Sequence, residues 1–172
     1  MFKILGIILI VFSTSFLGYL KANSYKNRIY ELNEFKKGVE LFETEIKFLK
    51  SPLSEAFLKI GQNLSGNISD LFVEFSKRYN LNESHNVTAI WDNIIDKNSA
   101  FFSLAKSDVS LLKEFGIMLG ATDIDGQIEN ISSIVSRLKY NIKDAADLQQ
   151  KNAKLYQSFG IYSGVLIAIL LI

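Results

Sequence analysis

The chain carries one histidine, His85, and no cysteine. Thiol nucleophiles, disulfide frameworks and iron–sulfur clusters are thereby excluded, as is any site that needs two imidazoles. His85 stands between Ser84 and Asn86 in a polar stretch, the setting of a solvated loop residue. Asp123-Ile124-Asp125-Gly126 has a calcium-loop flavour. Aligning Gly126 with the turn glycine of such a loop puts Ala121 at the first ligand position and Ser132 at the last, so two required carboxylates are missing. Acidic residues at a helix start, favoured by the helix dipole, account for Asp123 and Asp125 instead. Walker loops, nucleophile elbows, paired-histidine zinc helices and dinucleotide fingerprints are all absent. The sequence therefore offers no catalytic centre, no metal site and no cofactor site, and the expected mode of action is binding rather than turnover.

What must be positioned, then, is surface. The formal net charge is +1, from 19 basic and 18 acidic residues, so no nucleic-acid partner is advertised. Pro52 is the only proline in 172 residues. Long uninterrupted helices follow, because proline breaks helix interiors and is nearly missing. Tyr25, Ile29, Leu32, Phe35, Val39, Phe42, Ile46 and Leu49 recur every three or four residues and define one face of a long first helix. It stops at Ser51-Pro52, with Ser51 expected to cap the next helix and Pro52 to occupy its first position.

Leu53, Ala56, Phe57, Ile60 and Leu64 form the face of a second helix. Ile68, Leu71, Phe72, Phe75 and Tyr79 form that of a third. A fourth, capped by Asn86, carries Val87, Ile90, Trp91, Ile94 and Ile95, and Trp91 at that spacing reads as core. Ala100 to Leu104 is a short apolar piece of open type. Ser107 and Asp108 open a helix through Leu112, Phe115 and Leu119 that closes at Gly120. Glu55, Asp70, Glu74, Asp108 and Glu114 read as a solvated face of these middle helices. The final repeat, Ile124, Ile128, Ile131, Val135, Leu138, Ile142 and Ala145, is heptad-like, with Thr122 and Asp125 resembling a capping box at its start. A dimeric coiled coil would use such a seam. Packing against the similar stripe of the first helix, antiparallel, uses it equally well within one chain. The expected architecture is all-α, a helical bundle.

Two apolar runs flank this bundle. Ile4 to Leu20 is free of charge, and Phe159 to Ile172 is a second such run. The first has two readings: a secretory signal cleaved near Ser13 or Ser15, or an uncleaved anchor, since about 17–25 apolar residues suffice to span a bilayer. The tail alone is about 21 Å of helix against a hydrocarbon core of about 30 Å. Starting it at Leu155 gives about 27 Å, which spans a slightly thinned bilayer. A buried core helix and a lipid-anchor attachment signal are the other readings of the tail. The resulting division is 1–20 as membrane helix, 21–154 as helical domain and 155–172 as a second membrane helix. Lys21, Lys26, Arg28, Lys36 and Lys37 follow the first run, and Lys143, Lys151 and Lys154 precede the second. By the positive-inside rule this places 21–154 in the cytoplasm. Gly160, Gly164 and Ala168, spaced by four, form a small-residue stripe suited to helix contact in lipid.

Several local patterns, in order along the chain, then carry a resemblance. They are Ser51-Pro52-Leu53-Ser54-Glu55-Ala56, the helix around Trp91, Phe115-Gly116-Ile117-Met118-Leu119-Gly120 with Asp123 and Gln127, and Lys154-Leu155-Tyr156 before Gly160 and Gly164. Over essentially the whole chain this resembles the stage III sporulation protein AB family of endospore-forming bacteria. The resemblance implies a component of the channel-like complex between mother cell and forespore, with a soluble domain similar to the type II secretion inner-membrane platform protein. It further implies, as partners, the other stage III sporulation proteins, among them the AA protein that resembles a secretion ATPase; the apolar runs add membrane lipid, and the seam leaves a homo-oligomer open. The implied role is an adaptor in the mother-cell membrane around the forespore. A secreted or surface-anchored helical binding protein with a cleaved signal, or a small membrane-bound enzyme, are the competing classes. The mature N-terminus separates the first from the adaptor, and the second lacks an assembled set of acid–base groups.

Overall fold

Proline scarcity is realised as length. In the computed structural model, which describes residues 2–49, 51–81, 86–119 and 124–171, the first helix α1 runs over Phe2–Thr44 and the last, α6, over Ile124–Leu171. Between them lie α2 (Leu53–Asn63), α3 (Gly66–Asn80), α4 (Val87–Asn98) and α5 (Lys106–Leu119). A π-helical turn, Glu45–Leu49, widens the end of α1, and a 3-10 turn, Ser99–Phe101, follows α4. There is no strand among the described residues, and the all-α expectation holds. By Cα packing the chain forms two units: Met1–Ile29 with Lys143–Ile172, and Tyr30–Ile142. Both long helices contribute to both units.

The Tyr30–Ile142 unit is built around aromatic side chains. Phe35 and Phe42 from α1, Phe57 from α2, Phe72 and Phe75 from α3, Trp91 from α4 and Phe115 from α5 are buried together. Their rings meet at an edge or a tilt more often than face to face, with Phe35–Phe115 at 5.6 Å and 87° and Trp91–Phe115 at 5.5 Å and 66°. This is the arrangement that ring quadrupoles favour. Trp91 is fully buried, and its indole N–H donates to the Leu112 carbonyl at 2.7 Å, so its polar atom is satisfied within the core. The reading of Trp91 as core is thereby confirmed. Gly116, one turn beyond Leu112, makes room for it: a Cβ there would sit 2.2 Å from Trp91 Cδ1. Gly61 does the same between α2 and α3, where a Cβ would meet the Val73 side chain at 2.6 Å. Ser69 and Ser76 of α3 donate to the carbonyls of Gly61 and Ser54, both at 2.7 Å.

Three details of the helix starts differ from expectation. Pro52 is extended (φ −52°, ψ 142°) and occupies the N-cap rather than the first helical position, its carbonyl accepting from Ala56 N at 3.0 Å. Ser51 therefore lies outside the cap. The α5 helix begins at Lys106, one residue before Ser107, with Ala105 before it. Asp108 is not on a solvated face but fully buried. Its Oδ2 accepts from Ala105 N at 2.9 Å, the returning half of a capping box, and its Oδ1 accepts from Asn141 Nδ2 at 2.9 Å. A short acid at that position reaches back to the exposed amide of the helix start, and the neighbouring α6 then covers it. Asn86 caps α4 as expected, its side chain accepting from Ala89 N at 3.2 Å. The expected caps at Gly120 and Thr122 lie outside the described residues.

The heptad-like seam of α6 is buried at Ile131, Val135 and Leu138, with Ile134 added, while Ile128 and Ile142 are half-buried. Arg137 pairs with Glu114 of α5 at 2.5 Å. In the other unit, α1 and α6 run in opposite sense, as their two stripes imply. Arg28 lies 3.4 Å from Asp144, and the Tyr25 and Tyr156 rings are 5.9 Å apart. Ala22 and Ala145 are buried in the same unit.

Candidate functional site

Spacing along α1 places Glu31, Glu34 and Lys37 at intervals of three, hence near one another on the helix surface. Each holds a different piece of backbone. Glu34 Oε2 accepts from Ser65 N, the residue before α3, at 2.7 Å. Lys37 Nζ donates to the carbonyl of Asn63, the last residue of α2, at 2.5 Å. Negative charge meets a helix start and positive charge a helix end, each with the favourable dipole sign. Glu31 is buried; its Oε2 accepts from Ser103 N at 2.8 Å and its Oε1 from Asn67 Nδ2 at 3.1 Å. Burial pushes its carboxyl above the usual glutamate range, and those two hydrogen bonds oppose the shift without reversing it. This polar face was missed in the sequence, where Lys37 was read only as a basic flank. The signal was the three-residue spacing of Glu31, Glu34 and Lys37.

The carboxylates expected on a solvated face are mostly spent as well. Glu55 pairs with Lys59, Glu74 with Arg78 and Glu114 with Arg137. Asp70 is exposed and has no such partner among the described residues. Among those residues no group of three acids or histidines is placed to hold a metal ion. His85 and Asp123 lie outside the described residues, as does the side chain of Asp125.

Two open grooves mark the Tyr30–Ile142 unit. One, of about 220 Å³, is lined by Asn67, Asp70, Asn98, Phe101 and Phe102. The other, of about 170 Å³, is lined by Glu114, Ile117 and Met118 of α5 and by Asn130, Ser133 and Ile134 of α6.

The terminal unit shows a different surface. Phe12, Phe16, Leu17 and Leu20 on α1, and Phe159, Tyr162, Leu166 and Ile169 on α6, are exposed over successive turns. Gly160, Gly164 and Ala168 fall on consecutive turns of α6, and their side-chain surroundings lie outside the described residues. Among the described residues no helix is long and apolar enough to cross a membrane.

The family model for stage III sporulation protein AB matches residues 3–172. The chain is 32% identical over 171 residues to stage III sporulation protein AB of Bacillus subtilis (strain 168), covering 99% of each chain. A solved structure of a stage III sporulation protein AB superposes with a TM-score of 0.68 at 26% identity, covering 73% of this chain and 98% of that one. A sequence match along nearly its whole length, joined by a shared helical architecture over 73% of it, means that the chain belongs to the stage III sporulation protein AB family.

Proposed function

We propose that this protein is a non-enzymatic adaptor of the membrane-embedded sporulation complex between mother cell and forespore. In this reading residues 1–20 and 155–172 anchor it in the mother-cell membrane. Residues 21–154 face the mother-cell cytoplasm and couple a secretion-type ATPase, the AA protein, to the assembly. The observation that carries the reading is the terminal unit, whose two helices expose large apolar side chains turn after turn. Contiguous apolar surface of that kind is covered by lipid or by partner protein in a working molecule. Three buried polar side chains of the domain, Glu31, Ser76 and Asp108, support the non-enzymatic part, because each is engaged in holding helices and turns.

Two measurements test it. A cysteine at the exposed Ser107 is expected to resist membrane-impermeant thiol reagents in intact cells and to react after lysis; ready labelling from outside reverses the orientation. The full chain is expected to co-purify the AA ATPase from sporulating cells, and deletion of 155–172 to lose the membrane assembly. Sporulation abolished by His85→Ala alone, with the protein folded and membrane-bound, would sink the adaptor reading in favour of chemistry.

A further inference from the structure

The groove beside the 3-10 turn is built from hydrogen-bond acceptors. Asn67 spends both amide N–H groups, on Glu31 Oε1 at 3.1 Å and on the Phe101 carbonyl at 3.0 Å. Asn98 spends both of its own, on Glu74 Oε2 at 3.3 Å and on the Ile94 carbonyl at 2.9 Å. Each amide is thereby fixed with its donors turned into the protein, which leaves its carbonyl oxygen as the polar atom available to a ligand. The third polar lining group, Asp70, is an exposed carboxylate without an ion-pair partner among the described residues. Beside them Phe101 is 72% exposed, and its neighbour Phe102 also lines the groove.

Acceptors, one uncompensated negative charge and an exposed ring face together match a planar cation with many donors. We propose that this groove receives an arginine side chain from a partner protein, with the guanidinium paired to Asp70 and the two amide oxygens and stacked on Phe101. Guanidinium fits better than ammonium because its five donors lie in a plane and it stacks on aromatic faces. The occupant proposed belongs to another protein, because a second copy of this chain would have to give up an ion pair of its own to supply a guanidinium. The chain has three arginines, and all are taken: Arg28 by Asp144, Arg78 by Glu74 and Arg137 by Glu114. The inference rests on the adaptor reading and names the chemistry of one of its contacts.

The test uses the full chain in detergent micelles, labelled with ¹⁵N-asparagine and titrated with N-acetyl-arginine amide. Saturable shifts of the Asn67 and Asn98 side-chain amides are expected. Binding should fall at least tenfold for the uncharged isostere N-acetyl-citrulline amide, and at least tenfold in Asp70→Asn with unchanged Trp91 emission. Equal binding of the two amides, unmoved signals at Asn67 and Asn98, or full binding by Asp70→Asn overturns the proposal. In sporulating cells, p-benzoylphenylalanine placed at 102, which lines the groove without stacking on the guanidinium, should cross-link to an arginine-containing peptide of a different protein, and Asp70→Asn should abolish that product. A second copy of this chain or lipid as the cross-linked species, a product that survives Asp70→Asn, or no product, also overturns it. If the groove fails while the ATPase still co-purifies, the groove assignment alone is lost; loss of co-purification from the unmutated chain defeats the adaptor reading.

Discussion

Two residues decide more about this core than their size suggests. Gly116 faces Trp91 so closely that a methyl group would lie within 2.2 Å of the indole. Alanine is the better helix former by about 1 kcal/mol, but overpacking a filled core costs typically 1–3 kcal/mol. The ring is also pinned by its bond to Leu112 and cannot slide away cheaply. Gly116→Ala is therefore expected to be destabilising by about 1 kcal/mol, the middle of that overpacking range less the helix gain. Ile117→Ala next to it, on an exposed side chain, should stay within about 0.5 kcal/mol. Urea unfolding in detergent, followed by the emission of the single tryptophan, measures both. Glu31 makes a pH statement. Its folded-state carboxyl holds its proton to higher pH than in the unfolded chain, because burial penalises the charge. Its contribution to stability is then fully present below the unfolded glutamate range and is lost as pH rises through the raised value. Relative to Glu31→Gln, the natural protein should lose stability between acid and neutral pH. A difference between the two that does not vary with pH would show that Glu31 ionises as freely in the folded chain as in the unfolded one.

At the scale of elements, helix identities were legible because each apolar face repeats every three or four residues. Phe57, Phe72, Trp91 and Phe115 announce their burial by spacing alone. The helix starts were less legible, since a cap depends on one side chain reaching one amide. Asp108 looked like surface charge because an acid near a helix start normally is; it is buried, and one of its partners, Asn141, lies on a helix far away in sequence. The α1 clamp was illegible for the same reason, its partners being backbone distant in sequence: the helix end at Asn63, the helix start at Ser65 and the loop at Ser103. Glu34 sets the corner between α2 and α3, where Gly66 adopts φ +63°, a conformation that glycine tolerates and other residues strain to reach. Glu34→Ala removes the acceptor from an exposed amide, so water replaces it in part. A loss of about 1 kcal/mol is expected, against about 0 for Gln62→Ala on the exposed side of α2, read from the same unfolding curves.

Over the whole molecule, the described surfaces with most to offer a partner are those of its ends and of the two open grooves. The two long helices carry apolar residues outward in the terminal unit, and the small residues Gly160, Gly164 and Ala168 recur every fourth position on α6. In lipid, apolar side chains gain nothing by meeting each other instead of acyl chains, so close backbone approach at small residues is what holds helices together. Replacing Gly160 and Gly164 with leucine keeps the segment apolar and improves its helix propensity, so insertion and the Tyr30–Ile142 core should be unaffected. If the stripe is a helix contact in lipid, its close approach would be lost. The expected outcome is a double variant found in the membrane fraction with normal Trp91 emission, but recovered as a smaller complex on size-exclusion chromatography after mild detergent extraction from sporulating cells. A complex of unchanged size would leave the stripe as ordinary filler and place the assembly contacts on the Tyr30–Ile142 unit, where the acceptor-lined groove is the first surface to mutate.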